Sequence, residues 1–131
     1  MARVPPRPGT DPLPLRGVRA SFGYALAGLR LAWRNQRNFR LEVYIGLLAL
    51  GLAVWLRVDL VPVLLLVALV LGLELGNTAL EAVVDLASPN FHPLAKAAKD
   101  VAAAGVLVVS VIAVLIGLLL FVPPLLRALG L

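Results

Sequence analysis

The sequence predicts an all-α membrane protein in which an N-terminal amphipathic helix lies in the interface and three transmembrane helices follow. Of the 131 residues, 61% are hydrophobic and 15% are charged, whereas ordinary soluble domains have about 45–50% apolar and about 25% charged residues. The apolar residues occur in long runs with helical periodicity, and helices satisfy their own backbone polar groups inside a bilayer. One compact membrane domain is therefore expected over residues 19–131.

Residues 1–18 form a tail that is rich in proline and arginine and has no periodic apolar face, which predicts disorder. Its prolines also interrupt the place where a signal peptide needs a continuous apolar segment, so no cleaved signal is expected. These prolines are Pro5, Pro6, Pro8, Pro12 and Pro14.

Residues from about 19 to 38 predict the amphipathic helix. Apolar residues recur every three or four positions, and arginines form a second stripe beside them. The two stripes are Phe22, Leu26, Leu29 and Trp33, and Arg30, Arg34 and Arg37. This pattern favours a helix in the membrane interface whose arginines reach lipid phosphates. A helix packed on other protein is the alternative.

Three segments, at about 39–57, 60–87 and 97–122, predict transmembrane helices. Only the last region, Val101 to Leu126, is uncharged over a length that spans a bilayer core of about 30 Å without help. The first two segments reach that depth when their polar ends are included. Pro123 and Pro124 are expected to end the last helix, because a proline inside a helix removes a hydrogen bond.

Basic residues flank these spans unevenly. Arginines are concentrated before the first span and two lysines lie between the second and third, so both regions are expected in the cytoplasm and the C-terminus outside.

The net charge of +5 does not indicate nucleic-acid binding, because the basic residues flank apolar helices instead of covering a soluble fold. Without cysteine, disulfides and thiolate metal sites are excluded.

Acidic residues share one face of the second predicted span. At about 100° per residue, Glu74, Asn77, Glu81 and Asp85 fall within an arc of about 80°. An ionisable group at membrane depth costs roughly 2.5–3.5 kcal/mol even on a lenient scale, so it usually faces a partner, a cavity or an ion. Lys96, Lys99 and Asp100 approach the same interface from the next helix.

Carboxylates opposite lysines provide both requirements of a magnesium–nucleotide site, namely oxygen ligands for Mg²⁺ and positive charge for phosphate. The spacing alone does not separate a kinase from a phosphatase or a cation pathway, and interhelical ion pairs explain the acids equally well. By residue type alone, His92 is more often a satisfied interfacial side chain than a ligand. Tyr24 and Trp33 are more often membrane-interface anchors.

Two strings carry a resemblance to a known family. ELGNTALEAVVD from Glu74 to Asp85 and HPLAKAAKD from His92 to Asp100 strongly resemble the small bacterial integral-membrane diacylglycerol kinases, a family that includes undecaprenol kinases. The resemblance extends from Ser21 to about Phe121. The second string is more similar to the undecaprenol kinase branch.

The resemblance implies a homotrimer in the inner membrane, with active sites at subunit interfaces and its N-terminus in the cytoplasm. It also implies Mg²⁺-dependent transfer of the γ-phosphoryl group of ATP to a lipid hydroxyl, either of diacylglycerol or of undecaprenol. Glu74 matches the catalytic base, Asn77 the asparagine that supports it, and Glu81 a metal ligand. The positions that match nucleotide contacts are Tyr24, His92, Lys99 and Asp100.

One position departs from the family pattern. Gln36 stands where the family usually has a second metal-binding glutamate, and its amide oxygen can bind Mg²⁺ but brings no charge. Glu42 is the nearby acid, about 120° from Gln36 on an ideal helix. A catalytically degenerate, nonenzymatic trimer of the same fold is therefore the alternative function.

Overall fold

A computed structural model describes residues 14–131, which form four α-helices. They are α1 Pro14–Asn35, α2 Arg37–Leu56, α3 Leu60–Ala87 and α4 Pro93–Ala128. No strand occurs in this part of the chain, so the all-α class is confirmed. The chain divides into two compact units, one containing α1 and the other running from Gln36 to Leu131.

Three of the helices are long and apolar enough to cross a membrane. Helices α2, α3 and α4 contain 20, 28 and 36 residues, which at 1.5 Å per residue correspond to about 30, 42 and 54 Å. The three predicted spans are confirmed, and α4 is long enough to extend beyond the hydrocarbon core at its ends.

Helix α1 starts earlier than the sequence suggested. It already includes residues 14–18, which were assigned to the tail, while residues 1–13 lie outside the described part of the chain. Proline at the first helical position explains the early start, because its fixed φ suits a helix and its missing N–H has no partner there anyway. The apolar stripe is exposed within this unit, with Phe22 at 69% and Leu26 at 51%.

Helices α2 and α3 are joined by a tight turn. Arg57 takes a left-handed conformation, with φ 56°, and the Val58 N–H donates to the Ala53 carbonyl at 2.9 Å. Asp59 then caps α3 by accepting a hydrogen bond from the Val61 N–H at 3.0 Å. These bonds satisfy backbone groups that the helix ends leave free. Because the connection is short and α2 packs on α3, the two helices run antiparallel.

The two helices approach each other closely at Gly46. A Cβ atom built at Gly46 would lie 3.0 Å from Val67 Cγ1, which is tighter than an ordinary contact. Small residues at such points let helices pack closely inside membranes. Gly46 is thus a structural requirement of the α2–α3 pair.

Gly46→Ala is expected to destabilise the protein by about 1–3 kcal/mol, because the added methyl group overpacks the contact with Val67. Gly51→Ala is the matched control, since no described atom comes within 4 Å of a Cβ there and alanine favours a helix over glycine by about 1 kcal/mol. Thermal unfolding in detergent measures both variants. Equal loss of stability in the two would contradict the packing role of Gly46.

Helix α4 differs from its prediction at both ends. It begins at Pro93 rather than at about 97, because His92 caps it and proline suits its first turn. It also continues through Pro123 and Pro124 to Ala128. Each internal proline removes one backbone hydrogen bond of the helix. The helix nevertheless continues for a further turn, and a C-terminal cap then ends it.

That cap is a Schellman motif. The Leu131 N–H donates to the Leu126 carbonyl at 3.0 Å, and the Gly130 N–H to the Arg127 carbonyl at 3.2 Å. Gly130 has φ 75°, a conformation that glycine adopts without steric cost. The expectation that the prolines end the helix is therefore wrong by about one and a half turns.

Little of the three-span unit is buried within one chain. The buried residues of α2 and α3 are Phe39, Gly46, Ala53, Val63 and Glu74, and α4 has none. Large apolar side chains such as Leu119 (77% exposed) and Leu48 (73%) face outward. A surface of this kind is suited to lipid or to further copies of the chain.

Candidate active site

The acidic face of α3 runs from the inside of the unit to its surface. Because α3 is continuous from Leu60 to Ala87, its acidic residues share one face as their spacing requires. Glu74 is buried, with 4% of its surface exposed, Asn77 and Glu81 are half-buried, and Asp85 is exposed. Asn77 Nδ2 donates a hydrogen bond to Glu81 Oε1 at 3.2 Å, which orients that carboxylate.

Glu42 of α2 joins this face. Its carboxyl group is close enough to that of Glu74 for the two to repel each other, and Glu74 interacts in the same way with Glu81. Three carboxyl groups on two helices therefore form a row. Like charges in such a row favour the binding of a cation or of a hydrogen-bond donor.

Two oxygen atoms in this row have no partner. Glu42 Oε2 and Asn77 Oδ1 are buried and accept no hydrogen bond within the described part of the chain. A buried polar atom left unpaired costs about 1–3 kcal/mol. Both atoms are acceptors, so what they lack is a donor or a metal ion.

The residues present fit magnesium as a partial site. Among the described residues, no three His, Asp or Glu side chains converge as a metal-binding group. Mg²⁺ usually takes only one or two carboxylates and completes its shell with phosphate oxygens and water. Glu81, held by Asn77, and the unpaired oxygen of Glu42 match that requirement, whereas a site made entirely of protein ligands is not built within one chain.

Gln36 lies at the N-cap of α2, half-buried, and its side chain makes no capping hydrogen bond. Its backbone is extended, with φ −105° and ψ 109°. The separation of about 120° from Glu42 assumed one continuous helix and is corrected, because Gln36 lies outside α2. The side-chain amide of Gln36 therefore plays no part in capping α2.

Two ion pairs lie at the predicted cytoplasmic ends of α3 and α4, and one of them joins the two helices. Lys99 Nζ donates to Asp85 Oδ1 at 2.5 Å across the short connection between the helices. Lys96 pairs with Asp100 one turn along α4. Lys96, Asp100 and Asp85 are exposed and Lys99 is half-buried, so each pair contributes at most about 1 kcal/mol. Phosphate oxygens can therefore replace either carboxylate at low cost.

The other predicted nucleotide contacts have different surroundings. His92 caps α4, and its Nδ1 accepts a hydrogen bond from the Leu94 N–H at 3.2 Å. The second ring nitrogen, Nε2, takes no part in this cap. His92 therefore has a structural role as the cap of α4. Tyr24 lies on α1, in the other compact unit, and is 67% exposed.

A cavity among α2, α3 and α4 was missed from the sequence. It measures about 270 Å³, and among the described residues its polar lining side chains are those of Glu42 and Ser110. Its lining includes Gly46 and Ala49 from α2, Val63 and Val67 from α3, and Ala113 and Gly117 from α4. Small apolar residues carry no chemical signal in a sequence, and the acid at its end was the one available indication.

The chain is similar in sequence to one family of known proteins. Residues 23–121 match the model of a family described as prokaryotic diacylglycerol kinase, and this range includes every predicted site residue. A diacylglycerol kinase of Escherichia coli is 43% identical over 96 residues, which cover 71% of this chain and 79% of that protein. An undecaprenol kinase of Bacillus subtilis is 43% identical over 108 residues, 80% of this chain and 88% of that protein.

A diacylglycerol kinase of Synechocystis sp. is 46% identical over 110 residues, which cover 81% of this chain. The match spans 63% of the length of that protein. The names of these relatives include two different lipid alcohols, and the identities to them are similar.

Proposed function

Because the chain belongs to the prokaryotic diacylglycerol kinase family, we propose that it is a lipid kinase that transfers the γ-phosphoryl group of ATP to the hydroxyl group of a membrane lipid. The acceptor is diacylglycerol or undecaprenol, the alcohols named by its relatives. Transfer takes place at the cytoplasmic face of the inner membrane, with the N-terminus on that side. The observation that carries the proposal is the row of acidic and amide oxygens, two of them buried and unpaired.

Glu74 is the base in this proposal. Its buried carboxylate takes the proton of the lipid hydroxyl as the oxygen bonds to the γ-phosphorus and the bond to the β-phosphate oxygen breaks, releasing ADP. Burial on α3 keeps water away from the carboxylate, and Asn77 one turn further supports the same face. A hydroxyl group provides the donor that the unpaired oxygens lack.

Glu81 is the first metal ligand, since the hydrogen bond from Asn77 fixes its direction. Glu42 and the amide oxygen of Gln36 are the further ligands from this chain. When bound by these residues, Mg²⁺ would supply positive charge that offsets the charge of the phosphate oxygens. The uncharged Gln36 weakens this set relative to a second glutamate.

Lysines complete the phosphate site. Lys99 and Lys96 exchange their exposed carboxylate partners, Asp85 and Asp100, for oxygens of the triphosphate. Tyr24, His92 and Asp100 are the further nucleotide contacts. A homotrimer fits the thin core of one chain and its exposed apolar surface, and a neighbouring copy then completes the ligand set.

A nonenzymatic trimer is the second candidate, favoured by one observation, the missing charge at Gln36. The test is phosphate transfer from ATP by the purified full chain in detergent micelles, with diacylglycerol and undecaprenol assayed in parallel. Transfer that requires Mg²⁺ is expected with at least one alcohol. Absence of both transfer and ATP binding at millimolar Mg²⁺ would favour the nonenzymatic trimer.

A further inference from the structure

Ser110 is a polar residue within the apolar stretch of α4, and the proposed reaction gives it no role. It is half-buried and lines the cavity among α2, α3 and α4. A serine hydroxyl inside a helix often donates to the carbonyl group four residues before it, as Ser21 does to Gly17 at 2.9 Å. Ser110 makes no side-chain hydrogen bond within the described part of the chain. Its hydroxyl group is therefore left to donate into the cavity.

Ser110 lies level with Glu74 along the helix axes. Helices α3 and α4 pack on each other, and the ion pair between Lys99 and Asp85 fixes their register near the connection that joins them. Ser110 follows Lys99 by eleven residues, and Glu74 precedes Asp85 by eleven. Because both helices rise by about 1.5 Å per residue and run antiparallel, these equal steps bring Ser110 and Glu74 to about the same height.

Glu42 reaches the same height from α2. Gly46 packs on Val67, which puts the backbone of Glu42 about one turn from the height of Glu74 on the antiparallel helix. The side chain of Glu42 closes this distance, because side chains on a helix lean toward its N-terminus. The carboxyl groups of Glu42 and Glu74 are near enough to repel each other. Glu42, Glu74 and Ser110 thus form one polar layer with a member on each of the three long helices.

Donor and acceptor match within this layer. Glu42 Oε2 is buried and has no partner among the described residues. An ionised carboxylate only accepts hydrogen bonds, and among the described side chains that line the cavity, Ser110 carries the one hydroxyl donor. A bond between them restores to both groups what burial removed, and a bridging water serves where the gap is too long for direct contact. A cavity of about 270 Å³ has room for such a water.

We propose that Ser110 is a positioning residue whose hydroxyl group donates to the Glu42 carboxylate, directly or through one bound water, and holds it beside Glu74. The hydrogen bond itself depends only on the packing of α2 against α4. Its consequence for catalysis rests on the proposed function, in which Glu42 is a ligand for Mg²⁺. A ligand whose orientation is held by an outer partner binds a metal more tightly than one without such a partner.

Thermal unfolding in detergent tests the hydrogen bond without measuring activity. Ser110→Ala should lower the unfolding midpoint by about 4 °C, because it leaves Glu42 Oε2 without its donor. The same substitution should have almost no effect in Glu42→Met protein, in which the acceptor is already absent, and this difference measures the pairing. Glu42→Ala is the second background if Glu42→Met does not fold. In a Glu81→Gln background, which is the control, Ser110→Ala should keep its full effect, since Glu81 lies about two turns from the layer.

The magnesium dependence of phosphate transfer tests the positioning role. Ser110→Ala should raise the Mg²⁺ concentration for half-maximal activity about tenfold, as expected when a metal ligand loses an outer partner. The kcat at saturating Mg²⁺ should change by less than about twofold, because Ser110 does not act on the reacting atoms. Ser110→Thr keeps the hydroxyl group and should restore both the unfolding midpoint and the Mg²⁺ dependence of the unaltered protein.

Equal effects of Ser110→Ala with and without the Glu42 carboxylate would overturn the hydrogen bond. A folded Ser110→Thr protein that behaves like Ser110→Ala would overturn it as well, because the hydroxyl donor would then have no effect of its own. Coupled unfolding with an unchanged Mg²⁺ dependence would overturn the positioning role. Coupled unfolding in a protein that transfers no phosphate would overturn the proposed kinase and leave the hydrogen bond in place.

Discussion

Replacing Glu74 with glutamine is expected to lower kcat by about 10²–10⁴-fold, because the variant keeps the shape of the side chain and loses the base that accepts the hydroxyl proton. Glu74 is only 4% exposed, so water does not easily take over that role. Initial rates of phosphate transfer, at saturating ATP and lipid, measure the effect. The KM values for both substrates should change much less than kcat, since the carboxylate acts on the proton and not on the ground-state complex.

Asp59→Asn is the matched control for this substitution. Asp59 is an acid at the opposite end of α3, and asparagine caps a helix as well as aspartate does. Its kcat should equal that of the unaltered protein. A folded Glu74→Gln protein with unchanged kcat would remove Glu74 from the role of base and leave the row of carboxylates without an assigned acid–base group.

Replacing Glu81 with glutamine is expected to raise the Mg²⁺ concentration for half-maximal activity by at least about tenfold. Loss of even an outer partner of a metal ligand commonly costs 10–100-fold in metal affinity, and here a charged ligand is removed. The amide oxygen of the new side chain can still accept the hydrogen bond from Asn77, so the local fold is retained. A titration of activity against Mg²⁺ at fixed ATP measures the shift.

Two further variants define what the magnesium titration means. Gln36→Glu restores the charge that the family pattern has at this position and should shift the titration to lower Mg²⁺, the direction opposite to Glu81→Gln. If Glu81→Gln changes thermal stability and leaves the Mg²⁺ dependence unchanged, Glu81 serves the packing of the helices and not the metal. In that case the ligands must come from Glu42 and Gln36.

The helices were predictable from local patterns. Runs of apolar residues with helical spacing determine where a chain can enter a bilayer, and the three spans are confirmed with the bounds of α3 as predicted. The errors lie at helix ends, at Pro14, Pro93 and Pro123. There, short-range capping bonds and the position of proline within a turn decide the boundary, and periodicity does not report them.

The composition and spacing of the residues were enough to predict a membrane protein, and to place Glu74, Asn77 and Glu81 on one side of a helix, because the helical repeat is local. Only the tertiary structure brought Glu42 to Glu74, paired Lys99 with Asp85 and opened a cavity beside Gly46. These features depend on how helices distant in sequence approach one another, and that approach is decided by the fit of small apolar side chains across an interface. Leucine, valine and alanine are nearly interchangeable in a sequence pattern, whereas their volumes determine which helices touch and where space remains.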